Sequence, residues 1–153
     1  MAIRNLRYND DPVLRKKCKE VTAVNDKIRQ ILDDMLDTLH STGNGAALAA
    51  NQVGILKRLV VIDCDDCLLK LVNPVIIESS GLQECGEACL SFPNRCVKTR
   101  RPQKVTIQAL NEQGEEITVT GENRLAQCFC HELEHLDGEI FLDQAVTETK
   151  KEG

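Results

Sequence analysis

Two histidines four residues apart, the first followed directly by a glutamate, constrain this chain more than anything else in it: His131-Glu132-Leu133-Glu134-His135. On a helix, positions i and i+4 share a face, so both imidazoles can reach one metal ion. Glu132 is then placed to serve a water at that ion as general acid/base. The competing reading is two surface histidines on a charged helix. A catalytic metal also needs a third protein ligand and an open position. In zinc peptidases with this pentapeptide the third ligand lies downstream, as His or Glu. Here no histidine follows His135, Glu139 sits too near on the same helix end, and Glu148 and Glu152 fall in a polar tail. The third ligand is therefore expected upstream.

The helix carrying the pair is expected over residues 123–136, with Gly138 as its stop. An earlier helix, capped by Asn25 and running to about His40, shows an apolar stripe at three- and four-residue spacing: Ile28, Ile31, Leu32, Met35, Leu36, Leu39. Gly43-Asn44-Gly45 ends it, and an Ala-rich segment closes at Gln52-Val53-Gly54. Residues 58–62 and 68–77 are rich in β-branched residues. Residues 104–110 and 116–120 alternate polar and apolar around the turn Asn111-Glu112-Gln113-Gly114. The fold class expected is α+β, with antiparallel β-sheets around a central metal-binding helix and the N-terminal helix packed outside. Periodicity alone does not say which helix lies inside; the second is chosen because it carries the histidines. The length predicts one domain, residues 1–153.

A formal net charge of −5 disfavours a nucleic-acid binder, and aromatics at 3% with no Trp leave no stacking platform. The short cluster Lys98-Thr99-Arg100-Arg101 reads as a solvated strand end. No apolar run follows the N-terminal charge and none reaches the length of a membrane span, so a cytoplasmic location and reduced thiols are expected for the eight cysteines.

Upstream, the segment Glu87-Ala88-Cys89-Leu90-Ser91 follows Gly45-Ala46-Ala47-Leu48-Ala49-Ala50-Asn51-Gln52-Val53-Gly54 and precedes His131-Glu132-Leu133-Glu134-His135-Leu136-Asp137-Gly138. With Asp11-Pro12-Val13-Leu14-Arg15 at the start and Phe141-Leu142-Asp143 at the end, the three motifs in this order resemble the peptide deformylase family over nearly the whole chain.

The resemblance implies hydrolytic removal of the N-formyl group from the initiator methionine of nascent peptides, with release of formate and hydroxide at the metal as nucleophile. It implies Cys89, His131 and His135 as ligands of one divalent ion, ferrous iron in cells, with zinc, nickel or cobalt able to occupy the same donors. Glu132 becomes the acid/base, and Gln52 with the backbone N–H of Leu90 stabilises the oxyanion. Gly45, Ala46, Glu87, Ala88 and Cys128 are expected to bind substrate, with Phe129 beside Cys128 in the methionine pocket and Arg95 on the peptide. Glu87 is expected to pair with Arg100 or Arg101. The partners implied are N-formylmethionyl nascent peptides and, transiently, the ribosome exit region.

The family's second loop glycine is Ala47 here, its loop proline Asn51 and its strand glycine Ala88. Cys130 stands for the Gln before the first His, and Glu134 for the Asp before the second. Two other readings compete: a general metallopeptidase, disfavoured by the absent downstream ligand, and a non-catalytic peptide binder, disfavoured because binding needs neither Glu132 nor Gln52. Cys64-Asp65-Asp66-Cys67 has the spacing of half a zinc knuckle, but lacks a second pair and reads as a turn between strands. Cys130 is expected inside the fold, and His40 as a helix C-terminal residue.

Overall fold

The computed structural model describes residues 2–43 and 45–150. Its elements are α1 (Asp26–Ser41), β1 (Ala47–Ala49), β2 (Leu59–Cys64), β3 (Cys67–Ser80), β4 (Gln83–Cys89), β5 (Phe92–Arg101), β6 (Lys104–Leu110), β7 (Glu116–Glu122), α2 (Arg124–Leu136) and β8 (Ala145–Lys150). The named strands pair antiparallel throughout. They make a five-stranded sheet in the order β1-β2-β3-β6-β7 and a three-stranded sheet in the order β4-β5-β8. Helix α2 lies between the sheets and α1 packs on the outer face of the larger one. The chain therefore adopts the expected α+β arrangement.

Strand β2 shows why the layers form. Side chains alternate between faces, so Val60, Ile62 and Cys64 enter the core shared with α2, while Leu59 and Val61 enter the core shared with α1. Both faces are covered from Leu59 to Ile62, and that stretch reads as a continuous apolar run before the exposed Asp63. Helix α1 begins where expected, because the Asn25 side chain accepts from the Ile28 N–H at 3.0 Å. Helix α2 stops at Gly138, whose φ is +76°; a Cβ there would also stand 2.4 Å from the Arg15 carbonyl oxygen. Cys64 and Cys67 face each other across a two-residue turn, with Asp65 and Asp66 both in the left-handed region, so this motif is the expected turn.

Two features differ from expectation. The polar tail expected around Glu148 instead forms β8, which pairs with β5 and sets Glu148 opposite Val97; Glu152 lies outside the described residues. The motif strand is half of a β4–β5 hairpin, whose inward positions include Glu87, Thr99 and Arg101, all buried. Polar residues at inward positions erase the apolar alternation by which a strand is recognised.

Candidate metal centre

Helical spacing brings His131 and His135 onto one face of α2, and both are buried, 7% and 0% exposed, which removes the surface-histidine reading. Their rings approach edge-on, with centroids 5.0 Å apart. Cys89 ends β4, where the pairing with β5 slips between Ala88 and Cys89. Such an irregularity re-aims a side chain. The Cys89 Sγ comes to 3.3 Å from His135 Nε2. One ligand atom from each of Cys89, His131 and His135 lies within 4.8 Å of the others, and among the described residues this is the one such group.

A buried network orients the first histidine. His131 Nδ1 donates to Glu87 Oε1 at 2.9 Å, leaving Nε2 for other duty. Glu87 accepts from Arg101 Nε at 2.6 Å, from Arg101 Nη2 at 3.0 Å and from the Thr99 hydroxyl. Arg101 also holds Glu134, at 2.6 and 2.9 Å. Burial opposes the charge on Glu87, yet its bonds to His131, Arg101 and Thr99 prevail and bring its carboxyl down to about 2. Two expectations are corrected here. Glu87 does not line the cavity but stands behind His131, and the basic cluster does not end in solvent, since the Arg101 side chain is 4% exposed. Of the two arginines expected to pair with Glu87, Arg101 does; Arg100 reaches out to Glu84 at 4.0 Å.

The remaining groups face a cavity of about 840 Å³. Glu132 lines it with Oε1 buried and unpartnered and Oε2 3.8 Å from His131 Nε2. Burial pushes its carboxyl up to about 7 against the pull of His131. The Gln52 amide is oriented by its neighbours: Oε1 accepts from the Ala49 N–H at 2.9 Å, so Nε2 points to Ser91 Oγ at 3.1 Å and Cys89 Sγ at 3.5 Å. Gly45, Ala46, Ala47, Ala88, Leu90 and Cys128 line the cavity, as does Arg95. Gly45 lets its loop press close, since a Cβ there would stand 2.6 Å from Leu39 Cδ1 and 2.9 Å from Leu90 Cδ1. Phe129 is not in the pocket; it is fully buried in the core against the large sheet. Cys130 is buried as expected, and His40 bonds Asp63 at 2.7 Å.

Asn51, a departure from the family pattern, donates through Nδ2 to the carbonyl of the ligand candidate His135 at 2.5 Å and anchors the end of α2. Arg101 and Thr99 were likewise unassigned to the centre. No local pattern marks them, because their roles exist only once β5 pairs with β4.

The donor set fits one ion. Bonds of about 2.3 Å to sulfur and 2.0 Å to nitrogen require such atoms to converge, as they do here. Burial alone would suppress a charge on His131, but Glu132, Cys89 and Glu87 around it override burial and hold it well above its ordinary value. The same local field favours any cation at the cluster.

A family profile described as polypeptide deformylase matches residues 3–151. Peptide deformylase 2 of Clostridium acetobutylicum is 61% identical over 143 residues, covering 94% of this chain and 95% of its own. The peptide deformylase of Acetivibrio thermocellus is 47% identical, with 95% and 85% covered. Among solved structures, the Thermotoga maritima peptide deformylase superposes with a TM-score of 0.91 at 32% identity, covering 95% and 99% of the two chains. The Synechococcus elongatus enzyme in complex with actinonin gives 0.89 at 38% identity, with 93% and 78% covered. Fold and centre thus define a metal-dependent hydrolase with a thiolate and two imidazoles as donors. Within that class, the chain belongs to the polypeptide deformylase family.

Proposed function

We propose that this chain removes the formyl group from N-formylmethionyl nascent peptides through the roles set out below. The observation that carries the reading is the convergence of Cys89, His131 and His135 beside a cavity that also receives Gln52 and Glu132. A divalent ion held by those three donors supplies Lewis acidity toward a water and toward the formyl oxygen. Ferrous iron is the ion proposed, with zinc, nickel and cobalt suited to the same donors.

The protein groups do the rest. Gln52 Nε2 and the Leu90 backbone N–H donate to the oxygen of the tetrahedral adduct, where fixed donors are each worth about 3 kcal/mol. Glu132 takes the proton of the attacking water and delivers it to the amine nitrogen as the C–N bond breaks, releasing formate. A carboxyl pushed up by burial is suited to both halves of that transfer. The Glu87–Arg101–Glu134 network holds His131 in one tautomer.

The peptide pairs in extended form with the open edges of β1 and β4, each of which has a partner strand on one side only. Ala47 and Ala88 set methyl groups on this groove, and Cys128 walls the pocket for the first side chain. The chain acts as a single catalytic domain in the cytoplasm, meeting its substrate transiently at the ribosome exit region, where formylated N-termini first appear.

The test measures formate release from a formyl-Met-Ala-Ser peptide by anaerobically purified protein, alongside its metal content. One ion per chain and turnover are expected. Cys89→Ser should lose or exchange the metal, because a neutral hydroxyl does not replace a thiolate. Full occupancy and activity in that variant would remove Cys89 from the ligand set.

A further inference from the structure

Two arginines line the cavity, Arg95 and Arg124, and the roles set out above use neither; Arg124 is the one on the helix that carries the histidines. Arg124 opens α2, is exposed, and lines the cavity. It precedes Cys128 by four residues and His131 by seven, so the three share a helical face. By helical rise its Cα stands about 10 Å from that of His131 along the axis. With Gln127 and Cys128, Arg124 forms the part of the cavity wall that α2 contributes ahead of His131.

What sets Arg124 apart is that nothing holds it. Arg4, Arg7, Arg15, Arg29, Arg58 and Arg101 each grip a carboxylate at 3.1 Å or less. Arg124 has no hydrogen-bond or ion-pair partner among the described residues. Its polar neighbours are already engaged: Gln127 Nε2 donates to the Gly86 carbonyl at 3.2 Å, and Gln83 Nε2 donates to the Asn123 carbonyl at 2.9 Å. These two bonds tie β4 to α2 along the pocket wall. The free donor at the far end of that wall is the Arg124 guanidinium.

With a formyl carbon at the cluster, the end of an extended methionine side chain lies about 6–7 Å away, five or six bonds out. An arginine side chain spans a similar length, so from its place on the cavity wall Arg124 can reach the end of the first side chain. We infer that Arg124 is a specificity residue for the first position of the peptide, donating to an oxygen acceptor at the end of that side chain. The substrate class widens accordingly. Beside formyl-methionine it includes formyl peptides whose first side chain ends in a polar oxygen, methionine sulfoxide being the nearest in shape. This rests on the deformylase reading above and on Cys128 walling the first pocket.

The experiment compares kcat and KM for formyl-X-Ala-Ser peptides, with X as methionine, norleucine or methionine sulfoxide, in wild type, Arg124→Leu and Arg124→Lys. The wild type should process the sulfoxide within about tenfold of methionine. Arg124→Leu should lower kcat/KM for the sulfoxide by about tenfold or more, chiefly through KM, the scale of one charged hydrogen bond. Norleucine should change by less than about threefold, and Arg124→Lys should restore part of the loss. An unchanged sulfoxide-to-norleucine ratio in Arg124→Leu overturns the inference while leaving deformylation intact. Absence of turnover with formyl-methionine in the metal-loaded wild type overturns the deformylase reading and this inference with it.

Discussion

Asp34 on α1 and Glu132 on α2 are carboxylates with almost no exposure, 3% and 4%, and the protein holds them in opposite ways. Asp34 accepts from the Ala2 N–H at 3.1 Å, from Gln30 Nε2 at 2.8 Å and from Arg4 Nε at 3.1 Å. Burial opposes its charge, but these bonds hold its carboxyl below the ordinary range. Glu132 has one oxygen with no partner, and burial pushes it up to about 7. A buried acid that is fully satisfied ties chain segments together, here the N-terminal segment of residues 2–4 to α1. A buried acid left unsatisfied at a cavity costs stability and is retained for proton transfer.

The largest effect expected from breaking this contrast is at Glu132. Glu132→Ala should lower kcat by at least about a hundredfold, the usual scale for a lost general acid/base. Metal content should stay fixed and the melting temperature should hold or rise, because an unpaired buried oxygen has been removed. An enzyme that stays active after the change would end the assigned role. Next in size is Arg101, which satisfies Glu87 and Glu134 together. Arg101→Ala leaves the buried Glu87 and the half-buried Glu134 without their counter-ion, and should cost about 3–5 kcal/mol in urea unfolding. The gentler Arg101→Lys keeps the charge but not the fork; it should fold and bind metal about tenfold or more weakly, as lost support for a ligand does. Unaltered metal affinity in Arg101→Lys would show that the network does not orient His131.

The two helices also show what could be read in advance. The stripe of α1 and the cap at Asn25 predict its span closely, because that helix buries one face and exposes the other. Helix α2 is covered on both sides, and its periodicity did not say so; the histidines did. His131 and His135 were legible because a metal pair obeys helical spacing. Cys89 came only through resemblance, since its place depends on an irregularity at the end of β4 that leaves no local pattern. Thr99 and Arg101 were illegible as parts of the centre: their roles exist only once β5 pairs with β4 and sets them against Glu87. Phe129 was misplaced because adjacent residues on a helix point about 100° apart, so Cys128 faces the cavity while Phe129 faces the core.

A smaller effect is expected at Asp34, and it should fall on stability alone. Asp34→Asn should cost about 2 kcal/mol, the scale of its charged hydrogen bonds, with kcat unchanged in the folded enzyme. The pH dependence follows from the direction of its shift. A folded-state value below the ordinary 3.8 means the stabilisation is fully present above that pH and is lost as pH falls through the folded value. The gap between wild type and Asp34→Asn should therefore close on acidification below about pH 4 and stay constant from pH 5 to 7. A gap that widens in acid would contradict the lowered value.

The smallest effect is predicted where spacing alone suggested a metal. Cys64 and Cys67 face each other across a turn, and the buried Cys64 side chain shares a core cluster with Cys128. Burial raises the Cys64 thiol above its ordinary value, and the neighbouring Asp65 adds to the rise, so a thiolate is disfavoured there. Replacing both by serine should thus leave the metal content per chain unchanged. The cost should be about 1 kcal/mol, mostly from setting a hydroxyl at the buried Cys64 position. Because Cys64 shares its core cluster with Cys128, which walls the pocket, a small change in KM for formyl-methionine peptides is also expected, with kcat held. A fall in metal content would mean that the hairpin binds an ion after all. That result would leave two thiol-containing centres in one chain, and the contrast between satisfied and unsatisfied buried groups would need to extend to the hairpin.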